Sequence, residues 1–254
     1  MNKLFRKFRK QVVSDGKLKK YAIYALGEVV LLVIGILIAL AINNANIRNQ
    51  NRNKEQIYLK GLREDFLISQ EKLQELIKVN RNNLENAKKI IQADPEDPNL
   101  LESQFSQWVV EALAYEISFN PNNSLLSEMI NSGSLKDLSN PDLRKSLTDW
   151  VATLEDIHKQ ESELSMQREK VVNTFDEEGY SIRKILDDAG VTEELLIPKG
   201  RFPRGNLGIL NSVSFENRLL VFILTTQATE SAHYLPLLEK LNSIIFMVES
   251  EIEA

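Results

Sequence analysis

Two Glu-x-x-His turns, Glu155-x-x-His158 and Glu230-x-x-His233, contain both histidines of the chain and come nearest to a metal-binding pattern. On facing helices, two such turns supply half of a di-iron carboxylate site, and the other half is a glutamate from each of two further helices. About thirty residues before Glu230, where one of those helices belongs, the chain reads Lys199-Gly200-Arg201-Phe202-Pro203-Arg204-Gly205, which is a loop. Glu155 and His158 also sit one step off an apolar seam through Leu154 and Ile157, toward solvent. Both histidines therefore read as surface residues, and no catalytic, cofactor-binding or metal-ligating residue is assigned.

Other chemistry fails on residue type. With no cysteine, disulfides, thiol catalysis and Cys-ligated zinc are excluded together. No G-x-S-x-G, G-x-x-x-x-G-K-[ST], H-E-x-x-H or EF-hand loop occurs. Residues 1–54 hold eleven Lys/Arg against Asp15 and Glu28, which leaves 20 basic and 34 acidic side chains, a net of −14, over residues 55–254. That sign argues against nucleic acid as a partner of the later region. Lys199–Gly205 is its only basic cluster. It would suit a carboxylate, a phosphate or an acidic partner, while its Gly and Pro residues favour a solvated loop.

The remaining chemical signal is Glu28, the only formal charge in Tyr21–Asn44, YAIYALGEVVLLVIGILIALAINN. As a helix, Tyr21–Ile42 would rise about 33 Å, enough to cross a bilayer's hydrocarbon core. At about 100° per residue, Tyr21, Tyr24, Glu28, Gly35 and Ala39 fall within about 40° of one line, with Asn43 just beyond. Gly35-x-x-x-Ala39 is a small-xxx-small spacing that lets two helix backbones approach closely, and a carboxylate inside a membrane prefers a protein partner to lipid. These six residues form the expected association face. The bland alternative is a Glu28 near the headgroups and an incidental Gly35.

The leader MNKLFRKFRKQVVSDGKLKK puts Leu4, Phe5, Phe8 and Val12 on one face of a helix among basic residues, which suits a headgroup-lying helix or, equally, a disordered topogenic leader. Eight Lys/Arg precede Tyr21, so the positive-inside bias puts the N-terminus in the cytoplasm. The expected organisation is a basic cytoplasmic leader (1–20), a transmembrane helix (21–44) and a periplasmic α-helical domain (45–254), anchored in the inner membrane. Ala39-Leu40-Ala41 fits a signal-peptide cleavage site, but the long basic leader and the length of the apolar run favour an uncleaved anchor.

The run KYAIYALGEVVLLVIGILIALAINN with its FRKFRK leader resembles the N-terminus of an uncharacterised family of short single-span proteins of Bacteroidota, filed as a domain of unknown function. SLLSEMINSGSLKDLSNPDLRKSLTDW (124–150) and LNSVSFENRLL (210–220) resemble its central segment and the start of its last helix. Ala41 and Ala45 stand where that family's pattern has Gln and Trp. The resemblance implies topology and supplies no activity, cofactor or catalytic residue.

Beyond the anchor the pattern predicts an all-α fold, with no strand alternation. Leu59, Leu62, Phe66, Leu73, Leu76, Leu84, Ala87 and Ile91 recur at helical steps over Glu55–Gln92, with Asn80 on the seam. Asp94-Pro95-Glu96-Asp97-Pro98 ends that helix. Helices are expected over Leu101–Ile117 and Leu125–Asn131, the latter capped by Asn123 or Ser124 and closed by Gly133. Asn140-Pro141 should open a long helix whose seam is Leu143, Leu147, Trp150, Leu154, Ile157, Leu164, Val171 and Phe175, interrupted at Glu161 and Arg168. A short helix over Tyr180–Ala189 and a loop over Gly190–Ser212 lead to a last helix capped near Ser214. Pro236 kinks or splits that helix, and Leu219–Leu224 lies in the core.

The functional expectation is a non-enzymatic interaction, scaffold or sensing protein without cofactor, whose partners are the lipid bilayer and either a second copy or another membrane protein. The alternative is a channel- or motor-associated subunit in which Glu28 handles ions or protons.

Overall fold

The computed structural model describes residues 18–201 and 204–252, and the leader face of Leu4, Phe5, Phe8 and Val12 lies outside them, as do Phe202 and Pro203. The described residues are all-α, with no strand among them. In chain order they form α1 (Leu18–Gln92), α2 (Glu102–Leu113), α3 (Ser124–Ser132), α4 (Pro141–Glu177), α5 (Ile182–Asp188), the single turn α6 (Val191–Glu194), α7 (Val213–Ala228) and α8 (Leu235–Glu251). A π turn, Thr229–Tyr234, joins the last two, and 3-10 turns occupy Ser134–Asp137 and Leu207–Asn211. Two compact units result, Met1–Glu55 and Gln56–Ala254.

The first unit, as described, is the N-terminal part of α1. Its apolar side chains from Tyr21 to Ile42 are 46–77% exposed where they are large. The stretch is long and apolar enough to cross a membrane.

The second unit is built on three long helices. Arg63 bonds Glu249 at 2.7 Å, Gln70 bonds Asn242 at 2.6 Å and Arg81 bonds Glu230 at 2.7 Å, so α1 runs antiparallel to α7–α8. Along α4, Asn140 meets Glu251, Lys240 meets Thr153 and Arg218 meets Thr174, so α4 is antiparallel to the same C-terminal helices. Helix α2 packs on α5 at the side of α4.

The core follows the predicted seams with small shifts. Every seam residue of α4 is buried, and so are Leu59, Leu62, Phe66, Leu73, Leu84 and Ala87 of α1. Ile77 and Ile90 take the innermost positions expected for Leu76 and Ile91, which are only partly buried; a heptad-like spacing drifts around a 3.6-residue helix over several turns. At the centre, Trp150 stacks between Phe66 (5.3 Å) and Phe119 (6.3 Å, edge-on), and its indole N–H donates to Asn123 Oδ1 at 3.1 Å. Asn123 stands at the N-cap of α3 with its Oδ1 given to the Trp150 indole and no side-chain cap bond. Gly133 closes α3 at φ 71, a left-handed conformation that glycine adopts without a Cβ penalty.

Several expectations are corrected. Helix α2 stops at Leu113, short of Ile117, because the Leu113 carbonyl accepts from Arg168 Nη1 at 2.9 Å and the following segment is drawn out across α4 and α1. The Gly190–Ser212 stretch contains α6 and a 3-10 turn, held when the Glu102 carboxylate accepts from the Asn206 and Leu207 N–H groups at 2.8 and 3.3 Å. The cap of α7 is Ser212, which accepts from the Phe215 N–H, and Ser214 is inside the helix. Of Leu219–Leu224, only Leu219 and Phe222 enter the core; Leu220, Val221 and Leu224 are exposed, since a helix touching neighbours on one side buries about one stripe.

The start of α4 yields a direct check. Asn140 Oδ1 accepts from the Asp142 and Leu143 N–H groups at 2.9 and 3.1 Å, with Pro141 in the first turn. Asn140→Ala should cost about 1 kcal/mol, up to about 2, measured by urea unfolding of the full chain in detergent. Asn140→Asp keeps the cap but sets a second carboxylate against Glu251, so it should recover only part of that loss.

Candidate functional site

The Glu-x-x-His pairs do not converge. Glu155 and His158 are exposed on α4. Glu230, on the π turn, is buried and committed to Arg81, with its second oxygen unpartnered. His233 lines an open groove with Asp156, Lys159, Gln160 and Lys240, and the Lys240 ammonium is already engaged by the Asp149 carbonyl (3.0 Å) and Thr153 Oγ1 (2.6 Å). Among the described residues, no group of three or more His, Asp or Glu is placed to hold a metal ion.

What the fold does assemble is a polar centre around Glu161. This carboxylate is 5% exposed. Its Oε1 accepts from the Phe119 backbone N–H and from the Tyr234 hydroxyl, both at 2.8 Å, and Oε2 lies 3.4 Å from His158 Nδ1. Burial, followed by the neighbouring Glu161 charge, pushes the Tyr234 phenol well above its ordinary range. A phenol held protonated beside a carboxylate is a fixed donor, and the pair ties α4, the extended segment after α2 and the π turn to one point. Sequence reasoning marked Glu161 only as a charge interrupting the α4 seam; that interruption was the available signal. Tyr234 carried none.

The π turn that presents Tyr234 has local causes. Pro236 cannot sit inside an α-helix, where its ring meets the carbonyl four residues back, but it is tolerated in a first turn. The wider turn ends the α7 register so that Pro236 falls in the first turn of α8. Thr225, Thr226, Thr229 and Ser231 each return a hydroxyl hydrogen bond to the carbonyl four residues earlier, at 2.7–2.9 Å, a pattern that bends helices. At the junction, the Thr226 carbonyl accepts from Asn80 Nδ2 at 3.2 Å and Thr229 Oγ1 from Gln160 Nε2 at 2.9 Å. The buried Asn80 thus pairs with backbone of α7. Single-turn π segments recur at functional sites.

The extended segment is fixed on its other side as well. Ser69 Oγ accepts from the Asn122 N–H at 2.8 Å, and Lys72 donates to the Asn120 carbonyl and to Asn122 Oδ1. Chemically, the Glu161 centre positions backbone, while at the junction beside it Asn80 Oδ1 and Glu230 Oε2 stay buried without a hydrogen-bond partner. An apolar recess between α2, α4 and α5 is lined by Val109, Leu113, Val172, Phe175 and Ile185, with Arg168 at its edge.

The six residues of the expected association face, Tyr21, Tyr24, Glu28, Gly35, Ala39 and Asn43, all lie in α1 and are exposed. Helical phase brings them onto one stripe. A Cβ on Gly35 would meet nothing within 4 Å.

Tyr234→Phe removes one donor to a buried charge, so it should cost about 1.5–3 kcal/mol near neutral pH. Because folding raises this phenol above its unfolded value of about 10, its contribution is fully present below about pH 10 and is lost as pH rises further. The difference in urea stability between the native chain and Tyr234→Phe should therefore shrink above about pH 10.

No curated protein and no solved structure matches the chain. A family of unknown function (DUF6090) matches residues 28–186, a span that starts at Glu28 in the apolar stretch and takes in α2, α3, the extended segment and Glu161. With more than half its length matched, the chain belongs to that family.

Proposed function

We propose that this is a single-pass inner-membrane protein, with its N-terminus in the cytoplasm and residues 45–254 in the periplasm, whose helical domain is a non-enzymatic interaction, scaffold or sensing module. The observation that carries the reading is the exposed apolar stretch of α1. Fifteen large apolar side chains between Tyr21 and Ile42 lie open; at roughly 1.5–3 kcal/mol each, water would leave tens of kcal/mol unrealised that a bilayer supplies. The eight Lys/Arg before Tyr21 support the orientation. A domain whose Glu161 centre ties α4, the extended segment and the π turn together suits presenting a fixed surface.

In this reading the stripe Tyr21, Tyr24, Glu28, Gly35, Ala39 and Asn43 meets a second copy or another membrane protein. Gly35→Leu should weaken association in native mass measurements of gently extracted protein by a factor on the order of ten; an unchanged mass distribution removes that face. Glu28→Gln retains a hydrogen-bonding side chain and should leave assembly and function intact, whereas a channel or motor subunit would lose function.

Orientation has its own test. On a chain without cysteine, Ser162→Cys should react with a membrane-impermeant maleimide once the outer membrane is permeabilised, and Ser14→Cys only after lysis. The reverse pattern would invert the topology.

A further inference from the structure

Two charges, Glu161 and Arg168, interrupt the apolar seam of α4. Glu161 is met by two donors, whereas Arg168 has a single neutral acceptor. Its Nη1 donates to the Leu113 carbonyl at 2.9 Å, and its Nε is buried without a hydrogen-bond partner. Among the described residues no carboxylate forms an ion pair with it. Glu116, which lines a small cavity with Arg168, accepts from Ser165 Oγ at 3.3 Å instead. Residues 55–254 hold 34 acidic side chains against 20 basic ones, so acids are in surplus and yet none is set against this guanidinium. Its fork of N–H donors is the geometry that takes a carboxylate.

Arg168 stands at the edge of the apolar recess, whose walls are Val109 and Leu113 of α2, Val172 and Phe175 of α4, and Ile182 and Ile185 of α5. Arg168 is the one charged residue in the lining, and the volume is about 190 Å³. Close-packed interiors leave few voids larger than a water molecule, so a recess of this size is not ordinary packing slack. Its walls are also pre-formed. Val109, Leu113, Phe175 and Ile185 belong to the core, and the Phe175 ring is held edge-on by Phe215 at 5.6 Å. The start of α5 is fixed where Ser181 accepts from the Lys184 N–H at 3.2 Å and exchanges backbone hydrogen bonds with the buried Asn206 side chain at 3.1 and 2.9 Å.

We infer that the recess binds a small apolar monocarboxylate, an acyl or aryl acid, with its chain against Val109, Val172, Phe175 and Ile185 and its carboxylate on the Arg168 guanidinium. An apolar cavity of about 150 Å³ takes up benzene, which sets the chain at about six to eight carbons. Sites for larger ligands run to about 300–1,000 Å³, so a longer chain would leave its end in water. A wholly apolar ligand would leave the guanidinium as it is. This inference rests on the proposed function, for which it names the ligand class of a sensing module.

The test is calorimetric titration of octanoate into the full chain in phosphatidylcholine nanodiscs, with empty discs as the blank for uptake by lipid. One octanoate per chain should bind, and from butanoate to octanoate affinity should rise about fourfold per methylene and then level off at decanoate. Arg168→Gln should weaken octanoate about ten- to a hundredfold and leave the neutral octan-1-ol unchanged, a difference that a merely structural arginine would not produce. Val172→Phe fills the recess from its partly buried wall and should abolish binding of both. Heat no greater than that of empty discs overturns the site, as does octanoate binding that Val172→Phe leaves intact. Equal losses of octanoate and octanol in Arg168→Gln overturn the carboxylate contact, and an affinity still climbing at decanoate overturns the size limit. Mass analysis of the octanoate after incubation separates the two readings: octanoate bound and chemically altered refutes the non-enzymatic reading and keeps the site, while octanoate unbound refutes the site alone.

Discussion

A carboxylate that has left water must find donors, and in this domain Glu161 finds them in two places far apart in sequence: the backbone of Phe119 and the hydroxyl of Tyr234. Neither donor belongs to its own helix. Burying an unpaired carboxylate costs several kcal/mol, so the arrangement tolerates little sliding of α4 along α7–α8 and little displacement of the extended segment. Apolar contacts along these helices are many but non-directional; the Glu161 centre supplies direction, and with it the register in which Phe66, Trp150 and Phe119 stack.

The π turn serves the same end. A straight α-helix through Thr229–Tyr234 would place Pro236 against a carbonyl and rotate Tyr234 to another face. By ending one helical register and starting another, the chain puts Pro236 where proline is tolerated and Tyr234 where Glu161 waits. Asn80 and Gln160 then serve oxygens at the junction, one from α1 and one from α4. Three long helices thus meet at the place where the last is irregular, which ties their relative rotation to a single structural feature.

These two constraints hold the long helices of the domain in one register. Apolar side chains stay open on the N-terminal stretch of α1, at Leu220, Val221 and Leu224 of α7, and at Leu195–Ile197 beside the exposed Lys199, Arg201 and Arg204. The α1 stretch is a contiguous apolar area, the kind that marks an interaction surface, whereas single exposed apolar side chains are ordinary.

Sequence alone determined the local events. The apolar run of α1, the break at Asp94-Pro95, the Asn140-Pro141 start of α4, the Gly133 stop and the seam of α4 are each written in residues within a few positions of the effect, because caps, proline and helical periodicity act locally. Helix ends that depend on distant partners were not legible: α2 ends at Leu113 because Arg168, 55 positions on, takes its carbonyl, and Ser212 rather than Ser214 caps α7 where the chain has come out of a turn held by Glu102. The Glu-x-x-His pairs looked alike in sequence, yet packing left one exposed and committed the other's glutamate to Arg81. Only the tertiary structure decided that Glu161 and Tyr234 meet, since that bond joins residues 73 positions apart and forms only after the helices have docked.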